Sequence, residues 1–172
     1  MKKAQITGQV FIYILSAMVF ALVLVYGYKA IGDFLNRADQ VAEIELSTDL
    51  KSSIKTIASS QDVKQKAISI PAKFKQICFI DLNKDAKTTN MCDITHGDYN
   101  LVICNFWDSN AEQNVFLLPN PSDVKVFVGE IEPREPDQTP LDYLCMNITN
   151  GKVKLKLQGL GDRTGISAWP QS

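Results

Sequence analysis

The sequence predicts an α+β fold: a long N-terminal helix, transmembrane at first and amphipathic afterwards, then a compact antiparallel β-rich domain. Three observations predict it. From Val10 to Tyr28 there is no charged residue and no proline. After Ile31 apolar residues return every three or four positions among charged ones. After Ser60 the chain changes to short runs rich in Val, Ile and Phe, bounded by Asn, Asp, Gly and Pro, the composition of strands and turns.

The uncharged run is close to the ~20 residues a helix needs to cross a hydrocarbon core of about 30 Å. A helix satisfies its own backbone polar groups, so it is stable in lipid. Phe11 and Tyr13 lie near one end and Tyr26 and Tyr28 near the other, as interfacial anchors do. A cleaved secretory signal fits less well, because its apolar core is shorter, about 7–15 residues. Ala30 and Gly32 are the residues that could mimic its cleavage site. Lys2 and Lys3 place the N-terminus on the cytoplasmic side by the positive-inside rule. Everything after Ile31 is then expected outside. Residues 1–8 form a basic leader and 9–31 the transmembrane helix.

Residues 32–60 read as an amphipathic stem. Phe34, Leu35, Ala38, Val41, Ala42, Leu46, Leu50, Ile54 and Ile57 form one helical stripe. Such a stripe needs a surface to cover it. Leu46–Leu50, "LSTDL", could kink the helix or start a new one with Ser47 or Thr48 as N-cap.

Residues 61–172 read as an extracytoplasmic β-rich domain. "KQICFIDL", "NLVICNF", "NVFLL" and "VKVFVGEI" have strand composition. In the first, Ile77 and Phe79 alternate with Ile80 and Leu82, so both faces should be buried. "LCMNITNGKVKLKLQ" predicts a hairpin with a type I′ turn at Asn150-Gly151. In that register Ile148 faces Val153, Met146 faces Leu155 and Leu144 faces Leu157. Residues 129–142, rich in proline and acids, read as an exposed loop. "GLGDRTG" reads as a turn.

The chain has 172 residues and a formal net charge of −1. No large basic field is present, so nucleic acid is not an expected partner. Residues 51–75 are lysine-rich and 81–142 acidic; both read first as solvated faces. Cys78, Cys92, Cys104 and Cys145 all follow the apolar run, and an even count suits two disulfides outside the cytoplasm. Of the three possible pairings, Cys92–Cys104 and Cys78–Cys145 are favoured. The first closes a short loop; the second ties an early strand to the final hairpin. No Cys-x-x-Cys occurs and His96 is the only histidine, which argues against zinc and a histidine-centred triad. Asp81, Asn83 and Asp85 resemble the start of a calcium loop. Ala86 stands where glycine belongs and Cys92 where glutamate belongs, so a polar turn explains them better. Asn147-Ile148-Thr149 is the one glycosylation sequon. No nucleotide loop, hydrolase elbow or zinc-protease motif appears, so neither enzymatic activity nor a cofactor is expected.

A short basic leader, a small residue, a glutamine and a long apolar helix leading into an amphipathic stem resemble a type IV pilin precursor. The archaeal version, with a class III signal peptide, is the more similar. Lys3, Ala4 and Gln5 match the basic–small–Gln pattern at which a prepilin-type peptidase cuts, which implies processing between Ala4 and Gln5. Many bacterial pilins carry glutamate at the fifth mature position; here that position is Gln9, a departure that disfavours the bacterial type. The resemblance covers about the first 60 residues. It implies a pilin-like lollipop whose helix packs with copies of itself into a filament core while the β domain faces outward for adhesion or contact. Before assembly the helix would lie among membrane lipid. The alternative is a non-polymerising, single-pass anchored binding or envelope protein.

Overall fold

The computed structural model describes residues 5–109, 111–119 and 125–169, and of residues 5–8 and 36 the backbone alone. The chain divides into two compact units, Met1–Gln40 and Val41–Ser172. The layout is α+β, as the sequence predicts: a long N-terminal helix, then two sheets. Helix α1 runs from Gln5 to Ala58.

Within the first unit the helix is apolar on all sides from Val10 to Tyr28. Val10, Phe11, Ile14, Met18, Phe20, Leu24 and Ile31 are all exposed. α1 holds a window long and apolar enough to cross a bilayer, with no part of that window buried.

Within the second unit, residues 41–58 of α1 bury one stripe. Leu46, Leu50, Ile54 and Ile57 are each at most 4 % exposed, and their spacing of four, four and three keeps them on one face. Val41 stays exposed, so the buried stripe is shorter than the predicted one. No new helix begins at "LSTDL". The Thr48 hydroxyl instead donates to the Ile44 carbonyl one turn back, at 2.9 Å. Ser47 is buried within the helix.

The sheets follow in order. Strand β1 is Val63–Ser69, β2 Gln76–Ile80 and β3 Val115–Leu118. β4 is Ile131–Pro133, β5 Tyr143–Asn147, β6 Lys152–Gly159 and β7 Thr164–Ala168. One sheet has the order β1-β6-β7-β4 and the other β3-β2-β5. Every pairing is antiparallel except β4 with β7.

β2 separates two cores, because Ile77, Cys78, Phe79 and Ile80 are all fully buried. Ile77 and Phe79 join the larger cluster with Leu50, Ile54, Leu155 and Ile166. Cys78 and Ile80 join the smaller one with Met91, Ile103, Trp107 and Phe116. Alternation along the strand sends successive side chains to opposite faces, so this strand bonds α1 and its sheets to everything beyond.

Four local expectations are corrected. "NLVICNF" is not a strand but helix α2, Leu101–Asp108. The Asn100 side chain caps it, accepting from the N–H groups of Val102 and Ile103 at 3.1 Å each. Ile103 and Trp107, one turn apart, are its buried face, and the Trp107 indole donates to the Lys84 carbonyl. Of the described residues of "VKVFVGEI", Ile131 alone lies in a strand, as the first residue of β4; Val126 makes a single bridge to Val115. Asn114 holds that segment in place, donating to the Gly129 carbonyl and accepting from the Val128 N–H. Residues 129–142 are not wholly an exposed loop, since buried Ile131 lies in β4 beside β7. Arg134 also donates its N–H to the Ile166 carbonyl.

The fourth correction concerns the hairpin. Asn150 and Gly151 have φ of 53° and 66°, the left-handed pair a type I′ turn needs. Thr149 and Lys152 exchange both backbone hydrogen bonds. The strands then part. β5 pairs with β2, Leu144 opposite Phe79 and Met146 opposite Ile77. β6 lies between β1 and β7. The apolar faces of both strands still reach the same larger core, so hydrophobic patterning alone does not choose between a hairpin and two separated strands.

The end of α1 is closed by the β6–β7 connection. The Gly161 N–H donates to the Ala58 carbonyl at 2.9 Å, and the buried Thr164 hydroxyl to the Ile54 carbonyl at 3.1 Å. The first satisfies a carbonyl that a helix end leaves without a partner, and the second adds a donor to a carbonyl one turn earlier. Gly159 sits so close that a Cβ would lie 1.7 Å from the Ser60 oxygen and 2.1 Å from that of Ile57. Gly159→Ala is therefore expected to cost at least about 1–3 kcal/mol, and Leu50→Ala about 2–5 kcal/mol. Denaturant unfolding followed by circular dichroism measures both. A Gly159→Ala protein as stable as the parent would show that the contact gives way freely.

Candidate functional site

Two features carry the candidate functions: the apolar surface of α1 and a disulfide-stapled polar cleft. On α1 the aromatic residues predicted as anchors are open, Phe11, Tyr13, Tyr26 and Tyr28 each at least 63 % exposed. Ser16, Ala17 and Ala21 are exposed among them. The Ser16 hydroxyl donates to the Tyr13 carbonyl at 2.9 Å, so it leaves no unmet donor in an apolar setting. A Cβ added at Gly27 or Gly32 would meet nothing within 4 Å. Gln9 is exposed as well. Of the residues matching the processing pattern, Lys3 and Ala4 lie outside the described residues, and Gln5 is the first residue of α1.

In the second unit Cys78 is bonded to Cys145 and Cys92 to Cys104. Among the described residues no cysteine is free. The first bond joins directly opposed residues of β2 and β5. The second fixes a 3₁₀ turn, Asn90–Cys92, to α2. In the hairpin register Cys145 falls on the face opposite Leu144 and Met146; with β5 paired to β2 it borders the smaller core with Tyr143.

The Cys78–Cys145 bond borders, through Cys145, a cleft of about 630 Å³. Asn90, Asp98, Tyr99 and Asn100 line it on one side and Asp142, Tyr143 and Cys145 on the other. The Tyr143 hydroxyl donates to the Asp98 carboxylate at 3.0 Å, and His96 stands 3.8 Å from the same carboxylate. Burial first, then the Asp98 hydrogen bond and the charges of Asp98 and Asp142, push the Tyr143 pKa up to about 12. Nearby, the Thr95 hydroxyl and N–H hold the Asp93 carboxyl below its ordinary range. The polar groups lining the cleft among the described residues are amides, hydroxyls and carboxylates.

The calcium candidates do not form one site. Asp81 is buried and accepts from the Asn83 N–H. The Asn83 amide donates to Glu130, and Asp85 caps a 3₁₀ turn through the Lys87 N–H. These are turn and cap roles, and no cluster able to hold a metal ion occurs among the described residues. Asn147 is exposed at the end of β5, where a glycan would find room. Sequence reasoning missed the cleft, since its walls come from segments far apart along the chain. It also missed buried Glu43, which pairs with Lys73 at 2.6 Å.

Comparison with protein-family models, with curated proteins and with solved structures finds no match to this chain.

Two outcomes are expected. Chain-entropy reasoning makes the Cys78–Cys145 bond, with its sequence separation of 67, worth more than Cys92–Cys104 with 12. The difference is roughly 1.5 kcal/mol, to be read by comparing the unfolding of Cys78→Ala/Cys145→Ala with Cys92→Ala/Cys104→Ala. The second concerns Tyr143, whose ordinary pKa is 10 and whose folded value is about 12. The folded state keeps the phenol proton where the unfolded state has lost it. This contribution is whole below pH 10 and is lost as the pH rises towards 12. Tyr143→Phe should flatten that part of the stability profile; an identical slope in parent and variant would refute the assignment.

Proposed function

We propose that this chain is a membrane-anchored, pilin-like subunit. Its apolar α1 segment packs into a filament core after leader removal, and its disulfide-stapled β domain faces outward for adhesion or contact. The observation that carries the reading is the fully open apolar surface of α1 from Val10 to Ile31, in a chain whose β domain holds two disulfides. An apolar surface of that extent is stable only in lipid or against similar helices. Disulfides persist outside reducing compartments. Lys2 and Lys3 then keep the N-terminus cytoplasmic, and the second unit lies outside.

Gln9 favours keeping a second reading, in which the helix is a plain single-pass anchor for an exterior binding or envelope domain. Without a carboxylate at that position, one electrostatic aid to assembly is missing. N-terminal sequencing of the mature protein separates leader removal from its absence. A start at Gln5 supports the pilin-like reading, and an intact Met1 supports the plain anchor.

Polymerisation needs its own test. Ala17 and Ala21 are one turn apart and small enough for close helix approach. Ala17→Ile/Ala21→Ile should leave membrane fractionation unchanged and abolish filaments seen by negative-stain electron microscopy. Filaments of unchanged number and width would place the packing surface elsewhere. Phe20→Lys, by contrast, should weaken insertion itself, by about 2.5–3.5 kcal/mol at a helix centre. Carbonate extraction reads that loss.

A further inference from the structure

The two sheets have four edges, and three of them are protected. β1 carries Lys64 and Lys66, charges that discourage strand addition. β4 has three residues and ends in Pro133. β3 is covered by the bridge from Val126. β5, Tyr-Leu-Cys-Met-Asn, has no lysine, no proline and no bulge. It lies at the outside of the order β3-β2-β5.

The direction of its backbone groups follows from the register. Asp142 accepts from the Asp81 N–H, and the Ile148 N–H donates to the Lys75 carbonyl. In an antiparallel ladder hydrogen-bonded pairs alternate with unbonded ones. The even-numbered residues of β5 therefore bond to β2, and Tyr143, Cys145 and Asn147 turn their N–H and C=O groups away from it. Among the described residues nothing accepts from or donates to those groups.

Clefts flank this edge at both ends. The 630 Å³ cleft at the Tyr143 end bears Asp98 and Asp142. A second, of about 490 Å³ at the Asn147 end, bears Lys152 and Lys154. Among the described residues neither lysine has an ion-pair partner.

We propose that β5 pairs antiparallel with β5 of a second copy of this chain, giving a two-fold symmetric contact centred on Cys145. Antiparallel pairing about Cys145 sets Tyr143 opposite Asn147 of the other copy, so outward groups meet outward groups. It also lays the acidic end of one edge along the lysine-bearing end of the other. That charge match selects a second copy over an uncharged strand, and antiparallel over parallel. The isologous geometry closes on itself and gives a dimer. This contact lies wholly in the second unit and does not depend on α1 helices bundling.

The test uses the full chain in detergent micelles, with an intact mass showing no glycan on Asn147. Sedimentation equilibrium should show a dimer at low salt that weakens as salt is raised. A benzophenone amino acid incorporated at Asn147 should crosslink, on illumination, to residues 141–145 of a second copy, identified by mass spectrometry. Asn147→Pro removes one outward N–H without touching the bonds to β2 and should weaken the dimer about tenfold. Lys152→Glu/Lys154→Glu, on exposed side chains, should weaken it further by setting like charges together. Four results each overturn the proposal: a monomer at all concentrations, a dimer indifferent to both variants, crosslinks outside residues 141–145, or crosslinks only to a different protein.

Discussion

The burial of one short stripe on α1 governs the second unit. Leu46, Leu50, Ile54 and Ile57 supply the side of the larger core against which both sheets pack. Full burial of such side chains contributes about 1.5–3 kcal/mol each, enough to fix the rotation of this part of the helix about its axis. Rotation in turn fixes which carbonyls face the β6–β7 connection, and those of Ile54 and Ala58 find donors there. Gly159 follows from this geometry, because no side chain fits between β6 and the helix end. The polar neighbours of the stripe are also set. Glu43 can be buried because Lys73 pairs with it, and Asp49 meets Lys66 beside Ser53.

The second consequence passes through β2. A strand buried on both faces must have two partners, and here they are unlike. One face meets α1 and the four-stranded sheet; the other meets α2 and the disulfide-fixed loops. The smaller core is built of few residues, and covalent bonds supplement it where apolar area is short. Both disulfides belong to that side. Cys78–Cys145 joins β2 to β5 and Cys92–Cys104 joins the Asn90–Cys92 turn to α2, while the α1 side is held by packing together with the Lys73–Glu43 and Lys66–Asp49 pairs.

What the sequence disclosed follows from which signals are local. The Asn150-Gly151 turn was legible because positive φ at two successive residues is a local demand. The choice of partners for β5 and β6 was not, since Leu144, Met146, Val153, Leu155 and Leu157 satisfy the same core in either arrangement. β2 was legible from two alternate apolar sets. α2 was misread because "LVICNF" has strand composition, and its helical signs are one cap at Asn100 and the Ile103–Trp107 spacing. β1 was invisible: its lysines suit an edge, and Ile68 is its one buried residue. β4 was hidden by the prolines around it. The cysteine pairing could be anticipated from loop length and strand order, whereas the cleft, assembled from residues 76–145, could not.

The two parts of α1 make opposite demands on one helix. From Val10 to Tyr28 every face is apolar, so no single side is satisfied by a protein core, and the surface calls for lipid or for several similar helices. From Val41 onward only one face is apolar, and the remainder carries Glu45, Asp49, Lys51, Ser52 and Lys55 towards water. A helix of uniform amphipathicity could fold entirely onto the β domain and leave nothing to insert. A helix apolar throughout would strip the sheets of a water-facing partner and expose their core to aggregation. Partition between the two environments is thus written in the change of pattern between Tyr28 and Val41, where Lys29, Asp33, Arg37 and Asp39 bring charge onto the helix. On the proposed topology that change falls at the head-group level, where charged side chains cost least. A shift of those charges towards Val25 would shorten the insertable segment below what a bilayer requires, while leaving the stripe that organises the β domain intact.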